Sequence, residues 1–100
     1  MGDFVVVNDE NMYVGMVTYD DLREALVYRV AIPLLQVNEL LRTDLPTVIP
    51  DETLDMVMDK FSRHEAHSLA VLNSQDDNTV KGLISRAKLM RLYQDELDKD

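Results

Sequence analysis

The feature that most constrains the fold is an internal repeat, a pattern of strand, turn, strand and helix that occurs twice. Residues 4–8 match residues 69–73, and residues 15–18 match residues 82–85. Apolar residues at helical spacing follow each glycine-containing strand, at Leu22, Ala25 and Leu26 in the first copy and at Leu89, Leu92 and Tyr93 in the second. Because each copy contributes a strand pair and a helix, the repeat predicts two related units of the α+β class.

The first copy predicts an antiparallel hairpin followed by a helix. Phe4–Val7 is an apolar run typical of a buried strand, and residues 13–18 predict its partner. A short amphipathic helix follows and is expected to end before Pro33. Because the residue before a proline avoids the helical region, Ile32 should be extended.

The second copy is preceded by further elements. Three apolar residues predict one helical turn in the connector: Val37, Leu40 and Leu41. Pro46 and Pro50 bracket a very short extended segment that suits a sheet edge. A helix over residues 53–64 follows, with Asp51 and Thr53 as alternative N-caps. Its apolar face consists of Leu54, Val57, Met58 and Phe61. Strands are predicted at 68–72 and 80–85, separated by a polar turn.

The two units are unequal in length, because nothing in the first corresponds to the strand and helix at residues 45–67. We therefore predict a C-terminal half-unit at 1–30, a linker at 31–44 and a complete unit at 45–95. The shorter first unit should leave a sheet edge and an apolar helix face uncovered. Such surfaces favour self-association, so we expect a homodimer with twofold symmetry.

Composition excludes several classes of function. The net charge of −9 argues against nucleic acid as a partner and against binding to an anionic membrane surface. There is no cysteine and there are only two histidines, so we expect no disulfide and no metal site. The apolar runs are far shorter than a bilayer span. Among the six methionines, Met58 and Met90 are expected in the core rather than at a metal.

In order and doubling, these segments resemble the CBS domain, which usually occurs as a tandem pair. In the second unit the resemblance rests on residues 45–48, 50–54, 68–72 and 82–85; in the first it starts at Phe4 and ends with residues 15–22. It implies units in which a short β-sheet is packed by two helices. Residues 31–35 and 39–44 resemble the cytosolic CBS pairs of bacterial chloride-channel-type transporters. That likeness implies a cytoplasmic, regulatory part of an inner-membrane protein.

The resemblance also implies a ligand, namely AMP, ADP, ATP or S-adenosylmethionine. In the family, a strand-end hydroxyl and a carboxylate three residues later hold the ribose and the neighbouring phosphate, and Thr18 and Asp21 match this pattern. A carboxylate can accept two hydrogen bonds from a cis-diol. The same two residues also fit a helix N-cap, so a purely structural role stays open. The segment before each unit's first strand encloses the adenine in the family, and for the first unit another chain would have to supply it.

The second copy keeps only part of this pattern. Ser85 retains the hydroxyl, but Lys88 replaces the carboxylate and cannot accept from ribose. In nucleotide-sensing members a His-Arg pair contacts phosphates, and here His67 matches its first residue while Ser68 replaces the arginine. Arg63 and His64 lie close in sequence and are alternative phosphate contacts.

Three functions are therefore compared. The first is a regulatory module that binds an adenosine-containing ligand and controls a membrane transporter, with Thr18, Asp21, His67 and Ser85 at the site. The second is a ligand-free dimerisation module. The third, an enzyme, is disfavoured because the sequence has no combination of nucleophile and base and no paired carboxylates facing a cleft.

Overall fold

A computed structural model describes residues 2–27 and 37–99 of the chain. The predictions for Ile32, for the side chain of Leu26 and for the linker up to residue 36 lie outside this description. The described elements are, in order, β1 (Phe4–Val7), β2 (Tyr13–Val17), α1 (Tyr19–Val27), α2 (Val37–Leu40), α3 (Leu54–Arg63), β3 (Ser68–Ser74), β4 (Asp77–Ser85) and α4 (Arg86–Leu97). The α+β class and the repeated order of strand, strand and helix are confirmed.

Each repeat forms a two-stranded antiparallel sheet. In the first, Val5 is paired with Met16, and in the second Leu69 is paired with Ile84. The second hairpin is longer than predicted, since β3 runs to Ser74 and β4 starts at Asp77. Asp77 explains the extension, because its carboxylate accepts a hydrogen bond from Asn73 Nδ2 at 2.7 Å and another from the Thr79 hydroxyl at 2.6 Å.

The segment between the two prolines adds to the second sheet. Val48 lies parallel to β3, with Val48 N donating to Ala70 O at 2.9 Å and Leu72 N donating to Val48 O at 2.7 Å. Helix α3 then begins after Thr53, whose hydroxyl accepts from Met56 N at 3.3 Å. Of the two predicted caps, Thr53 is therefore the residue that the helix uses.

One apolar core joins the two units. Its most deeply buried large side chains are Met16 from β2, Phe61 from α3, Leu69 from β3 and Leu89 from α4, each less than 2% exposed. Val57 is buried on the predicted face of α3, and Leu54 and Met58 pack against the core. Because Met16 belongs to the first unit and the other three to the second, the two units are held together by burial of apolar surface.

Three predictions of burial are wrong. Phe4 is 52% exposed and Val7 38%, since strand pairing satisfies backbone groups in the plane of the sheet and does not by itself cover the side chains on its faces. Met90 is 53% exposed although Leu89 beside it is fully buried, because neighbouring residues point about 100° apart around a helix. Leu92 is also exposed, so α4 has a narrower apolar face than predicted.

Within residues 2–27 and 37–99, no helix has the length and the hydrophobicity needed to cross a membrane.

Candidate functional site

Thr18 and Asp21 meet where β2 passes into α1. The Thr18 hydroxyl accepts a hydrogen bond from the Asp21 N–H at 3.2 Å, and Thr18 O accepts from Leu22 N at 3.1 Å. Thr18 is thus the N-cap of α1, and it is only 7% exposed. The cap uses the backbone of Asp21 and leaves its carboxylate for another role.

Asp3 gives the same helix a second cap. Its Oδ1 accepts from Tyr19 N at 2.7 Å, across 16 residues of sequence. The pairing of Phe4 with Val17 explains the contact, because it brings the start of β1 beside the start of α1. Sequence reasoning missed Asp3, since no local pattern signals a cap supplied by a neighbouring strand.

Asp21 lines a groove of about 450 Å³, which we call the Asp21 groove. Its lining residues are Asp21, Glu24 and Ala25 of α1 and Glu39, Leu40, Leu41 and Arg42. The last four precede the first strand of the second unit. The family resemblance predicts that another chain encloses the first unit's site, but residues 39–42 of the same chain provide one wall.

Gly15 allows residues 41 and 42 to pack closely against β2. A Cβ atom at Gly15 would lie 2.6 Å from Arg42 O and 2.8 Å from Leu41 Cδ1, whereas at Gly82, the equivalent position, no described atom lies within 4 Å. A glycine inside a strand often marks such a close backbone approach. This was the one sequence signal that could have pointed to residues 41 and 42.

Among the described residues that line this groove, one is an arginine, Arg42, and the Asp44 carboxylate occupies it. Arg42 donates to Asp44 through Nη2 at 2.9 Å and Nε at 3.2 Å. The hydrogen bond with Asp44 raises the pKa of Arg42, and the charges of Asp44, Asp21 and Glu65 raise it further. The same hydrogen bond lowers the pKa of Asp44. Arg42 is therefore already paired with a negative charge.

His67 and Ser85 lie in a different groove, of about 490 Å³, between the two units. We call it the inter-unit groove; it is lined by Gly2, Asp3, Tyr19 and Asp20 of the first unit and by His67, Ser68, Ser85, Arg86, Ala87 and Met90 of the second. Across it, His67 Nε2 lies 3.3 Å from Asp20 Oδ2, in an exposed pair. The structure thus brings His67 near Asp20, the neighbour of Asp21, but not into the Asp21 groove.

The lining of the inter-unit groove follows the internal repeat. When Phe4 is matched with Leu69, Asp3 is equivalent to Ser68, and Tyr19 and Asp20 are equivalent to Arg86 and Ala87. Equivalent positions from both repeats therefore meet there, as they would around an internal twofold axis.

The remaining candidates make local contacts. Ser85 caps α4 by accepting from Lys88 N at 3.1 Å, in the way that Thr18 caps α1. His64 Nδ1 lies 2.9 Å from Lys60 O, and Arg63 pairs with Asp59 at 2.8 Å. Neither Arg63 nor His64 lines the two grooves. Among the described residues, no group of three or more acidic or histidine side chains is placed to hold a metal ion.

This fold, a pair of repeated sheet-and-helix units joined by one core, defines a class of small α+β domain built as a tandem repeat. The chain belongs to the CBS domain family, whose model matches residues 2–28 and 37–95. A search of curated proteins gave no match.

Several solved structures share the fold. The CBS pair of MJ0100, in complex with 5′-methylthioadenosine and S-adenosylmethionine, is 23% identical, with a TM-score of 0.79 over 96% of this chain and 73% of the other. A CBS domain-containing protein from Bacillus anthracis is 11% identical, with a TM-score of 0.79 over 95% and 70%. CBSX2 in complex with AMP is 16% identical, with a TM-score of 0.75 over 97% and 74%.

Proposed function

We propose that this chain is a regulatory, non-catalytic CBS module that binds an adenosine-containing ligand in the Asp21 groove. One observation carries the proposal: the cap on α1 fixes the backbone of Asp21, and Asp21 lines a groove whose other wall is residues 39–42. The ligands of the MJ0100 and CBSX2 structures, two sulfur-containing adenosines and AMP, support this ligand class. ADP and ATP remain candidates.

The groove has the chemistry that an adenosine requires. The Asp21 carboxylate can accept hydrogen bonds from both ribose hydroxyls, and charge makes such bonds stronger than neutral ones. Leu40, Leu41 and Ala25 give the same groove apolar surface on which a base can pack. Thr18 contributes by fixing the turn, and it need not touch the ligand.

His67 and Ser85 take a secondary place in this proposal. Both line the inter-unit groove, which reaches the first unit at Asp20. A ligand long enough to extend past Asp20 would meet the His67 imidazole and the start of α4, where backbone N–H groups favour an anion. A ligand that ends at the ribose would not reach them.

Isothermal titration of the protein with 5′-methylthioadenosine, S-adenosylmethionine, AMP, ADP and ATP tests the proposal. At least one should bind, and Asp21→Asn should weaken that binding at least tenfold, because it removes a charged acceptor. Asp9→Asn, in the exposed β1–β2 turn, is the matched control and should bind as the wild type does. Absence of binding by all five at millimolar concentration would refute the proposal.

A second candidate function, assembly without a ligand, is favoured by the exposed apolar residues of the first sheet. Phe4, Val7 and Val14 are 52%, 38% and 40% exposed on β1 and β2. A homodimer that covers them would be disrupted by Phe4→Asp but not by Leu97→Asp, which changes a residue 60% exposed on α4. Sedimentation equilibrium of both variants distinguishes the outcomes, and a monomeric wild type would refute this candidate.

We also propose, from the sequence alone, that this module regulates a membrane transporter. The likeness of residues 31–35 and 39–44 to chloride-channel-type CBS pairs supports regulation of a membrane transporter from its cytoplasmic side. The division into a half-unit at 1–30, a linker at 31–44 and a unit at 45–95 is proposed with it. The test is the reading frame that encodes this chain, which should also encode apolar spans of about 20 residues.

A further inference from the structure

Helix α4 carries its charges in the reverse of the order that a helix favours. Its first turn contains no acidic residue and its last turn no basic one. Lys88 and Arg91 lie in its first half, Asp95 lies in its last turn, and Asp98 follows directly with helical backbone angles. The N-terminus of a helix carries a partial positive charge and the C-terminus a partial negative one, so this order is unfavourable at both ends. Helix α3 has the favoured order, with an acidic first turn and a basic last turn.

These four charged residues share one side of α4, and we call Lys88, Arg91, Asp95 and Asp98 the α4 strip. Their spacing of three, four and three residues places them within about 80° of one another around the helix axis. All four are exposed. In the part of the chain that the structure describes, none of them takes part in an ion pair. Two positive charges are therefore followed by two negative charges along one solvent-facing line.

Uncharged side chains border the strip. Met90 and Leu97 are seven residues apart and so point in nearly the same direction, and they are 53% and 60% exposed. Ala87 and Gln94, also seven apart and exposed, lie between that apolar flank and the strip. A helix that packed along Ala87 and Gln94 would meet apolar surface on one flank and charges on the other.

We propose that this face of α4 binds the same face of a second copy of the chain, with the two helices antiparallel about a twofold axis. An axis level with residue 93 sets Lys88 opposite Asp98 of the second copy and Arg91 opposite its Asp95, because the members of each pair are equally far from residue 93. The twofold axis repeats both pairs, so four ion pairs form.

The apolar flank follows the same register. Met90 and Leu97 lie three residues before and four residues after position 93, so each comes within about one residue of the other across the axis. A parallel pair of helices would instead place like charges together. A partner of a single charge sign would complement only half of the strip. The order of the charges thus favours a second copy as the occupant.

The inference does not depend on any ligand, and its surface differs from the surface on β1 and β2 considered above. Because α4 has 12 residues and is about 18 Å long, the contact is smaller than a standard interface. We therefore expect a weak dimer, measured by sedimentation equilibrium of the wild type up to millimolar concentration.

Charge reversal tests the pairs. Arg91→Glu sets a carboxylate opposite Asp95 of the second copy at two equivalent places, and it should raise the dimer Kd about ten- to thirtyfold. Asp95→Arg should weaken the dimer by a similar factor, although it reduces the net negative charge that repels the two copies.

Each variant has a matched control with the same change of charge. Glu96→Arg is the control for Asp95→Arg, because Glu96 points about 100° away from Asp95, toward the start of α3. Lys81→Glu, at an exposed position on β4, is the control for Arg91→Glu. Neither control should weaken the dimer, and circular dichroism checks that every variant folds.

The double variant Arg91→Glu, Asp95→Arg exchanges the two charges and restores attraction only in the antiparallel arrangement. Its dimer Kd should return to within about threefold of the wild-type value. Leu97→Asp should weaken the dimer and Phe4→Asp should not, which is the reverse of the order expected for a dimer through the first sheet.

Three results would overturn the proposal. One is a wild type that stays monomeric at millimolar concentration. Another is a dimer that Arg91→Glu and Asp95→Arg leave unchanged, or that Phe4→Asp disrupts in their place. The third is a double variant whose dimer is no tighter than those of the single variants.

Discussion

Arg42 pairs with Met16 through both of their backbone groups, with Met16 N 2.9 Å from Arg42 O and Arg42 N 2.7 Å from Met16 O. The two residues are far apart in sequence, and Met16 is fully buried. The pairing extends the sheet of the first unit with a residue that precedes the second. It is the contact that places residues 39–42 across from Asp21 and so makes the candidate site.

A methyl group at Gly15 should disrupt this pairing. Gly15→Ala puts a Cβ atom 2.6 Å from Arg42 O, and overpacking of this kind costs about 1–3 kcal/mol of unfolding free energy. Gly82→Ala is the matched control and should change stability by less than about 0.5 kcal/mol. Urea denaturation followed by circular dichroism measures both, and equal losses would show that the close approach at Gly15 is not what requires the glycine.

Substitutions at Thr18 and Asp21 should distinguish the helix-capping role of the motif from its role in ligand binding. Thr18→Ala removes the hydroxyl that accepts from Asp21 N and should cost about 1 kcal/mol of stability. Asp21→Asn keeps the backbone N–H that the cap uses, so its effect on folding should be smaller and its effect on ligand affinity larger. Thermal denaturation and ligand titration of both variants check this. If Asp21→Asn lowered stability more than Thr18→Ala and left ligand affinity unchanged, the motif would have only a structural role.

Tyr13 should make stability fall at alkaline pH. Burial, and then the charge of Asp44, raise the pKa of its hydroxyl above the usual value of about 10. Because the folded-state pKa is raised, the neutral form stabilises the fold fully below about pH 10, and this contribution is lost as pH rises through the folded pKa.

The variant Tyr13→Phe should lose that part of the alkaline decline. A hydrogen bond with Asp55 also raises the pKa of Tyr93, which would add to the alkaline effect. To remove this contribution, Tyr93→Phe is compared with the double variant Tyr13→Phe, Tyr93→Phe. Denaturation midpoints measured from neutral to strongly alkaline pH give the result. Identical pH profiles would contradict the assignment to Tyr13.

The shared core should depend on Phe61. Phe61→Ala should cost about 3–5 kcal/mol, because the ring is 1% exposed between the two units. Met90→Ala, at 53% exposure on the next helix, should cost less than about 1 kcal/mol. Denaturant midpoints distinguish them, and a small loss at Phe61 would mean that the packing across the units is loose.

The repeat, the hairpins and the apolar face of α3 could be predicted because they depend on local spacing, as the burial of Val57 and Phe61 shows. The exposure of Phe4 and Met90 could not be predicted from the sequence, because burial depends on which elements pack together. The β1 sequence is apolar whether or not a neighbour covers it, so its composition carries no information about exposure.

The candidate site also has features that the sequence predicts and features that it does not. Thr18 and Asp21 were visible from a short motif, and their hydrogen bond has the spacing that the motif implies. The wall at residues 39–42 and the second cap from Asp3 depend on contacts between distant segments, which no periodicity encodes. His67 and Ser85 belong to another groove, which is formed where residues of the two units meet.

Amide chemical-shift mapping by NMR with 5′-methylthioadenosine tests the central claim most directly, because it both detects binding and locates it. The account predicts saturable shifts at Asp21, at Ala25 and at residues 40–42, which are lost in Asp21→Asn. Shifts confined to His67, Ser85 and the other residues of the inter-unit groove, or shifts that survive in Asp21→Asn, would contradict it.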